Sequence, residues 1–587
     1  MTARPIRIAN CSGWLHDRTS GLRDALAGSV DVVTGDYLAE PTLRQLARDR
    51  GRDPGLGYAR SFLAQFRDAV DLLVERGAKL VVDAGGLNPA GLADEVRKAL
   101  VAAGHDLAVA HVEGDDLLGK LPDLDEAGEQ LRNLDTGVPL RDWGRTPRTA
   151  NAYLGGWGIA AALAAGADIV ICPRVTDASL TVGPAAWWHG WSRDDFDALA
   201  GAVVAGHVIE CGPQATGGNF SGFTQLADAT DLGYPIAEVA ADGSAVITKH
   251  TGTGGVVTTD TVTAQLVYEI QGPVYLNPDV TVHLDTVSLD PAGPDRVAVR
   301  GATGSPPPPT TKLALTAEAG YETSVSIYLT GLDVDEKFAL LRSHIERITK
   351  PLALTRLRVD RIGTPAEDPA DQWAAAQQVL VTGQADDRGQ VGLAAFVQPL
   401  VGLFLEAFPG FYVIPVRHEQ QVEAYWPALV PVRFIDHVAV LPDGERRAIP
   451  HSAVTQDFAG QPAHPEPGLA PADGSLVRVP LGKIAHARSG DKGGNVNIGF
   501  WTSVQAWPWL RGALTTEVLR RLYPAAADLR VERHELPSLR VVHFVVHGAL
   551  DEGASSNGRP DIAGKAIAEF LRARHLDIPS ALVPGEK

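Results

Sequence analysis

The feature that most constrains this chain is a rhythm in its first third. Short apolar runs of strand length alternate with segments of helical spacing. The runs are residues 6–9, 30–34, 79–83, 107–112 and 169–172, and residues 58–75 and 92–103 carry apolar side chains at helical intervals. Strands separated by helices predict a mostly parallel sheet with helical cover, an α/β domain. In such sheets ligands gather beyond the carboxyl ends of the strands. Here those ends are polar. The first runs into Asn10-Cys11-Ser12-Gly13 and the second into Gly35-Asp36-Tyr37. The third runs into Asp83-Ala84-Gly85-Gly86-Leu87-Asn88-Pro89, the fourth into Glu113-Gly114-Asp115-Asp116, and the fifth into Pro173-Arg174-Val175-Thr176-Asp177. Any one of these turns is explained by helix capping. Five at corresponding strand ends predict a common site.

At 587 residues the chain exceeds one compact core. The rhythm fades near Gly233, where alternating strands (280–284, 296–300), a Pro-rich loop (305–309) and a helix with an acidic start (335–348) follow. This divides the chain into an α/β domain at 1–231 and an α+β region at 232–450 packed on it. Residues 451–475, rich in Pro, Gly and Ala, read as a linker. Residues 476–587 have a strand-helix-strand-strand-helix texture, which predicts a small α+β domain.

A net charge of -19 argues against nucleic acid or an anionic membrane as the main partner. The three cysteines, Cys11, Cys172 and Cys211, give no disulfide framework and no zinc pair. No signal pattern opens the chain, and its longest apolar runs fall short of a membrane span. A cytoplasmic protein is expected.

The most distinctive segment is residues 207–218, expected to follow a short apolar strand. It holds His207, Glu210, Cys211, Gln214, Thr216, Gly217 and Gly218. A carboxyl such as Glu210 serves as acid or base when burial raises its pKa. Cys211 has no adjacent base and reads as a buried thiol. Asn88 precedes a proline that opens a helix, and free amides at such a start bind anions. The loop with Thr253 and Gly254 is a second candidate anion cradle, lacking both the Walker order and the dinucleotide glycine pattern. In the last domain, a strand is expected to feed a turn carrying His486, Arg488, Ser489 and Lys492, cations suited to phosphate or carboxylate. Asp36, Asp83, Glu113, Asp115, Asp116 and His207 offer metal ligands, but no spacing among them is diagnostic.

The ordered run of these motifs resembles the acyclic terpene utilisation family typified by AtuA. The stretches that carry the resemblance are 34–40, 85–89, 112–116, 151–155, 174–177, 210–218 and 253–255, spanning Pro5 to about Leu441. The tail around Ser489-Gly490-Asp491-Lys492-Gly493 looks like the ferredoxin-fold domain often joined to that family. The resemblance implies a setting in citronellol, geraniol and branched acyl-CoA breakdown, with no settled catalytic set to carry over.

The expected function is therefore an enzyme of branched or terpenoid acyl-CoA catabolism, of lyase or hydratase type. Such steps need a carboxylate base and an electrophile for the developing oxyanion. Glu210 or Asp36 is expected as the base, with Asp83, Asp177 and His207 behind them. Arg174, Asn88 and the amides of Gly217 and Gly218 are expected at the oxyanion, with Gln214, Thr216, Thr253 and Gly254 nearby. Arg488 and Lys492 are expected to hold CoA phosphates. The expected partners are an acyl-CoA or branched acid and further copies of the chain, without a cofactor. Two alternatives stand: a non-catalytic scaffold for pathway enzymes, and a metal-assisted hydrolase built on the acidic turns.

Overall fold

The computed structural model describes residues 4–414, 419–468 and 474–584, with the side chains of Glu40 and Pro41 excepted. Part of the expected linker, 469–473, and the Glu40 side chain of the second polar turn lie outside the described residues.

Eight strands build the part that matters for the site: β1 (Ile6–Asn10), β2 (Val32–Gly35), β3 (Lys79–Gly86), β4 (Val109–Glu113), β5 (Pro147–Ala152), β6 (Ile169–Pro173), β7 (Pro235–Val239) and β8 (Ala245–Lys249). β1, β2, β3, β6 and β4 lie side by side in that order, all parallel. The sheet does not stop there. β7 and β8, then Val297–Arg300 and Ser288–Pro291, extend it antiparallel from β1, and Val438–Val440 with Arg446–Ala448 extend it from β4. The result is an 11-stranded mixed sheet with a parallel centre. The sheet therefore runs across residues 231–232, where the sequence predicts a boundary. That texture change marks the switch from parallel to antiparallel pairing within one sheet.

Helices cover both faces of the parallel centre, which is why its strands are apolar throughout. Ala9, Val33, Leu80, Val82 and Ile171 pack with Phe62, Phe66, Leu92 and Val96 of helices Arg60–Arg76 and Pro89–Ala103. Ile8, Val32, Val81 and Val170 face helices Trp157–Ala164, Ser179–His189 and Phe196–Ile209. The connections change face after β4, so the ends of β3, β6 and β4 border a topological switch point.

Phe196–Ile209 corrects a sequence expectation: the segment before Glu210 is a helix, not a strand. It is apolar on nearly every side because it is buried on nearly every side, and such a run has no periodicity to reveal its type.

A second sheet is organised by Thr310–Thr330, a strand of 21 residues. Its first half pairs with β5 and with Gln420–Pro431; its second half runs outward, pairs with Ala376–Ala385 and carries helix Val334–Thr349. Arg388–Leu405 is long and apolar enough, at mean hydropathy 1.3, to cross a membrane by length and composition. The run is broken at Gly392, whose backbone is extended, and it packs Phe396, Leu400 and Leu403 onto this outer layer.

The C-terminal unit is a four-stranded antiparallel sheet, Ala485–Lys492, Asn495–Thr502, Val541–Val546 and Val531–Leu536 in spatial order, with helices Trp507–Ala513, Thr516–Leu522 and Ile567–Ala573. His486, Arg488 and Lys492 thus lie along one face of a strand instead of sharing a turn. Among the described residues before this unit, 451–468 carry no helix or strand but are held: Gln461 accepts from Val274 N at 2.9 Å and donates to Val274 O at 2.8 Å.

Candidate active site

Four of the five polar strand ends meet. Asp36, just after β2, accepts from Leu38 N through Oδ1 at 2.9 Å. Asp83, within β3, accepts from Tyr37 N at 2.7 Å through Oδ1. Arg174, just after β6, is buried; it donates to Leu38 O at 2.9 Å and lies 2.9 Å from Asp177. Its guanidinium also sits over the Tyr153 ring, 4.2 Å from the centroid. Asp115, after β4, accepts from Asn151 Nδ2 at 2.7 Å and from the Arg174 amide at 3.3 Å. One carboxylate oxygen each from Asp36, Asp83 and Asp177 falls within 4.8 Å of the others. This is the group that could hold a metal. Arg174 already supplies a cation there.

Burial decides the protonation of this cluster. It pushes Asp36 well up, and the Asp83 and Asp177 carboxylates push it further. Burial also raises Asp83 to about 7, against the lowering effect of its hydrogen bond with Asp36 and of Arg174. The pair therefore keeps a proton near neutrality, with Asp36 the donor. Glu210, at the end of helix Phe196–Ile209, lies 3.1 Å from His207 Nδ1, both buried. Burial raises Glu210 to about 7. For His207, burial lowers the pKa but the Glu210 carboxylate outweighs it, so the imidazole is raised.

These directions fix a sign for the pH dependence of stability. A group whose pKa is higher in the folded than in the unfolded chain contributes stability fully below its unfolded pKa and loses it as pH rises through the folded value. Asp83, Asp115 and Glu210, all raised to about 7, act this way. The urea midpoint is expected to fall between pH 5 and pH 8, each extra proton held being worth about 1.4 kcal/mol per pH unit. Asp83→Asn, neutral at every pH, is expected to make that decline shallower. A midpoint that rises over this range, or an unchanged slope in Asp83→Asn, would refute this.

The cluster borders a cavity of about 440 Å³, within the range of small-molecule sites. Apolar side chains including Leu276, Pro308, Pro427, Leu429 and Phe458 line part of it. Its polar lining includes Asp177, Thr176, Tyr153, Tyr275, Glu269, Lys312 and Lys492. Asp177 is the only one of the five expected catalytic residues on this wall. Asp36 and Asp83 stand behind it, and His207 packs edge-on against Tyr275 at 5.4 Å between centroids.

Tyr153, Tyr275, Glu269 and Lys312 were not expected as site residues. Tyr153 follows β5 and is fixed by a hydrogen bond from its amide to Lys312 O at 2.9 Å. Glu269 has φ +55°, an uncommon conformation for a residue with a side chain, costing about 1–2 kcal/mol. It is held there by Asn497 Oδ1, which accepts from its amide at 3.0 Å. Such strain is commonest where function needs a side chain aimed against local preference.

Several expected residues are committed elsewhere. Asn88 caps helix Pro89–Ala103 through Gly91 N and donates to Gly55 O and Leu56 O. The amides of Gly217 and Gly218 donate to Gln214 O at 3.3 Å and Pro213 O at 2.9 Å, leaving none for an oxyanion. Thr216 donates to Pro213 O and Gly233 O. Gln214 accepts from Arg488, which also donates to Asn219 O at 2.9 Å and lies over Tyr268, so this arginine fastens the C-terminal unit to the body. Thr253 and Gly254 fold against Gly233, Asp228 and Asp231, an acidic setting that disfavours an anion. Glu113 is tied to His111 and Arg446, and Asp116 is half exposed beside Arg50. Cys211 is kept a thiol by burial.

No curated protein and no solved structure gives a match to this chain. Family models do. The ferredoxin-like domain of AtuA matches residues 479–577, covering the C-terminal sheet. The model of the acyclic terpene utilisation family protein AtuA matches residues 6–441, every strand end of the cluster included, and the chain belongs to that family.

Proposed function

We propose that this chain is an enzyme that hydrates or cleaves a branched or acyclic terpenoid acyl compound, as the free acid or its CoA thioester, by carboxylate acid–base catalysis. The observation that carries the reading is Asp177 at the edge of a part-apolar cavity, backed by Arg174 and a pair of buried carboxyls that retain a proton. In the hydration direction, Asp177 takes a proton from water and the hydroxyl adds to the β-carbon. The electron pair moves to the carbonyl oxygen, and the proton returns to the α-carbon. Tyr275, whose phenol burial pushes up, stays protonated and suits the developing oxyanion. A part-apolar cavity favours a hydrocarbon chain over a sugar or nucleotide. Arg488 gives no support to a CoA-phosphate site, because its guanidinium joins two parts of the fold.

A metal-assisted reaction is the second reading, favoured by the spacing of Asp36, Asp83 and Asp177. One experiment addresses both. Turnover of branched α,β-unsaturated acids and their CoA thioesters is expected to fall about 10²–10⁴-fold in Asp177→Asn, with unfolding behaviour retained. Chelation is expected to leave the wild-type rate unchanged. Loss on chelation restored by magnesium would transfer the site to the metal reading. Wild-type turnover in Asp177→Asn would end the acid–base reading. No turnover and no thermal shift with any of these compounds would replace it with the scaffold reading.

A further inference from the structure

Lys492 belongs to the C-terminal unit, yet it lines the main cavity. The turn that follows it, Gly493-Gly494, reaches across to the body. There Asp135 accepts from Gly494 N at 3.1 Å and from Asn495 Nδ2 at 2.7 Å. Gly493, at φ +62°, rests beside Pro427 and Tyr425, where a Cβ would lie 3.8 and 3.9 Å from their nearest atoms. The same sheet presses on residues 267–269. Asn497 donates to Val267 O at 2.6 Å and accepts from Glu269 N, and a Cβ on Gly499 would lie 2.6 Å from Val267 Cβ. Trp501 Nε1 donates to Asp260 at 3.0 Å. The C-terminal sheet is thus seated so that its hairpin delivers one ammonium group to the cavity.

A second ammonium comes from the body. Lys312, on strand Thr310–Thr330, has its Nζ 5.2 Å from the Tyr153 ring centre and 5.4 Å from that of Tyr425. Burial lowers the Lys492 pKa, but Tyr275, Glu269, Asp177 and Tyr153 outweigh it and keep the ammonium charged. Of the carboxylates on the lining, Asp177 is taken by Arg174, and Asp135 by the hairpin. Glu269 and Asp457 also line the cavity, and Asp135 keeps its charge because its donors are neutral amides, so a ligand's carboxylate must be held by direct contact with the ammonium groups and not by the net charge of the wall. A desolvated ammonium gains most from a compact anion that it can hydrogen-bond. The cavity beside these cations, about 440 Å³ and part-apolar, has room for a branched hydrocarbon chain.

We propose that Lys312 and Lys492 form a carboxylate-binding subsite, shared between the body and the C-terminal unit, that holds a free carboxylate of a branched apolar substrate. This rests on the reading of the cavity as an acyl-compound site. It gives the ferredoxin-like unit a role, as the part that completes the site.

The test is the dissociation constant of the full chain for 3,7-dimethyloct-6-enoate and for the alcohol of the same skeleton. The acid is expected to bind the wild type at least tenfold more tightly than the alcohol. Lys492→Met and Lys312→Met are each expected to remove that preference, and Lys492→Arg to keep part of it. Equal binding of acid and alcohol, no binding of either, or an intact preference in both methionine variants would overturn the proposal. Should Lys492→Met fail to fold, Lys312→Met reads the same subsite from the other unit. Asp177→Asn separates this from the catalytic reading. Full turnover in Asp177→Asn beside a lost acid preference in the lysine variants would remove the acid–base reading alone.

Discussion

Replacing Arg174 with methionine is expected to destabilise the fold by about 3–5 kcal/mol at neutral pH, the usual penalty for stranding buried charge. Methionine keeps the unbranched apolar stem, so the loss reports charge more than volume. Arg174 is buried, 2.9 Å from Asp177 and among the carboxyls of Asp36 and Asp83. Both are already raised by burial, and Arg174 holds both down against it. Without the guanidinium they rise further, and the folded chain must bind protons that the unfolded chain does not. By linkage that cost grows as pH rises, so the variant is expected to lose less stability at pH 5 than at pH 8. Urea unfolding at the two pH values measures it. A loss below about 1 kcal/mol at pH 8, the size of an exposed pair, would show that the carboxyls are neutralised without Arg174.

The same cluster shows what sequence can and cannot reveal. The carboxyl ends of parallel strands converge by geometry, so Asp36, Asp83, Arg174 and Asp177 were readable once the strands were. Apart from Lys492, the charged and aromatic residues that face the cavity beside Asp177 were not. Lys312 reaches it because strand Thr310–Thr330 pairs with β5, a partner more than 150 residues away, and no local pattern encodes that register. Glu269 reaches it through a left-handed backbone that a sequence does not announce. The stretch from Gln214 to Gly218 was striking as sequence for the opposite reason. Its glycines and its amide serve a tight 3₁₀ turn and the anchoring of Arg488, so unusual composition there reports close packing. Likewise the basic cluster at 486–492 divides by position along one face of a strand: Arg488 fastens the units together, and Lys492, four residues on at the strand's end, enters the cavity.

That division leads to the second large effect. Gly490 lies between those two cations on the strand, pressed against Tyr268, and a Cβ there would overlap the edge of the Tyr268 ring. Tyr268 has little room to yield: it is 2% exposed, with the Arg488 guanidinium 4.3 Å from its ring centre and the Lys565 ammonium at 5.4 Å. Gly490→Ala is therefore expected to cost about 1–3 kcal/mol, the range for overpacking. Its effect on function is expected to be larger than its effect on stability. Tyr268 adjoins Glu269, and the Gly490 strand ends at Lys492, so one added methyl group displaces two groups of the cavity wall together. Misplacement by about 1 Å is enough for a roughly 10²-fold loss of rate, and the affinity for 3,7-dimethyloct-6-enoate is expected to fall with it. Gly119→Ala, where an added Cβ meets nothing within 4 Å, is the matched control. If Gly490→Ala behaves like that control in stability, turnover and binding, the C-terminal sheet does not set the geometry of the cavity.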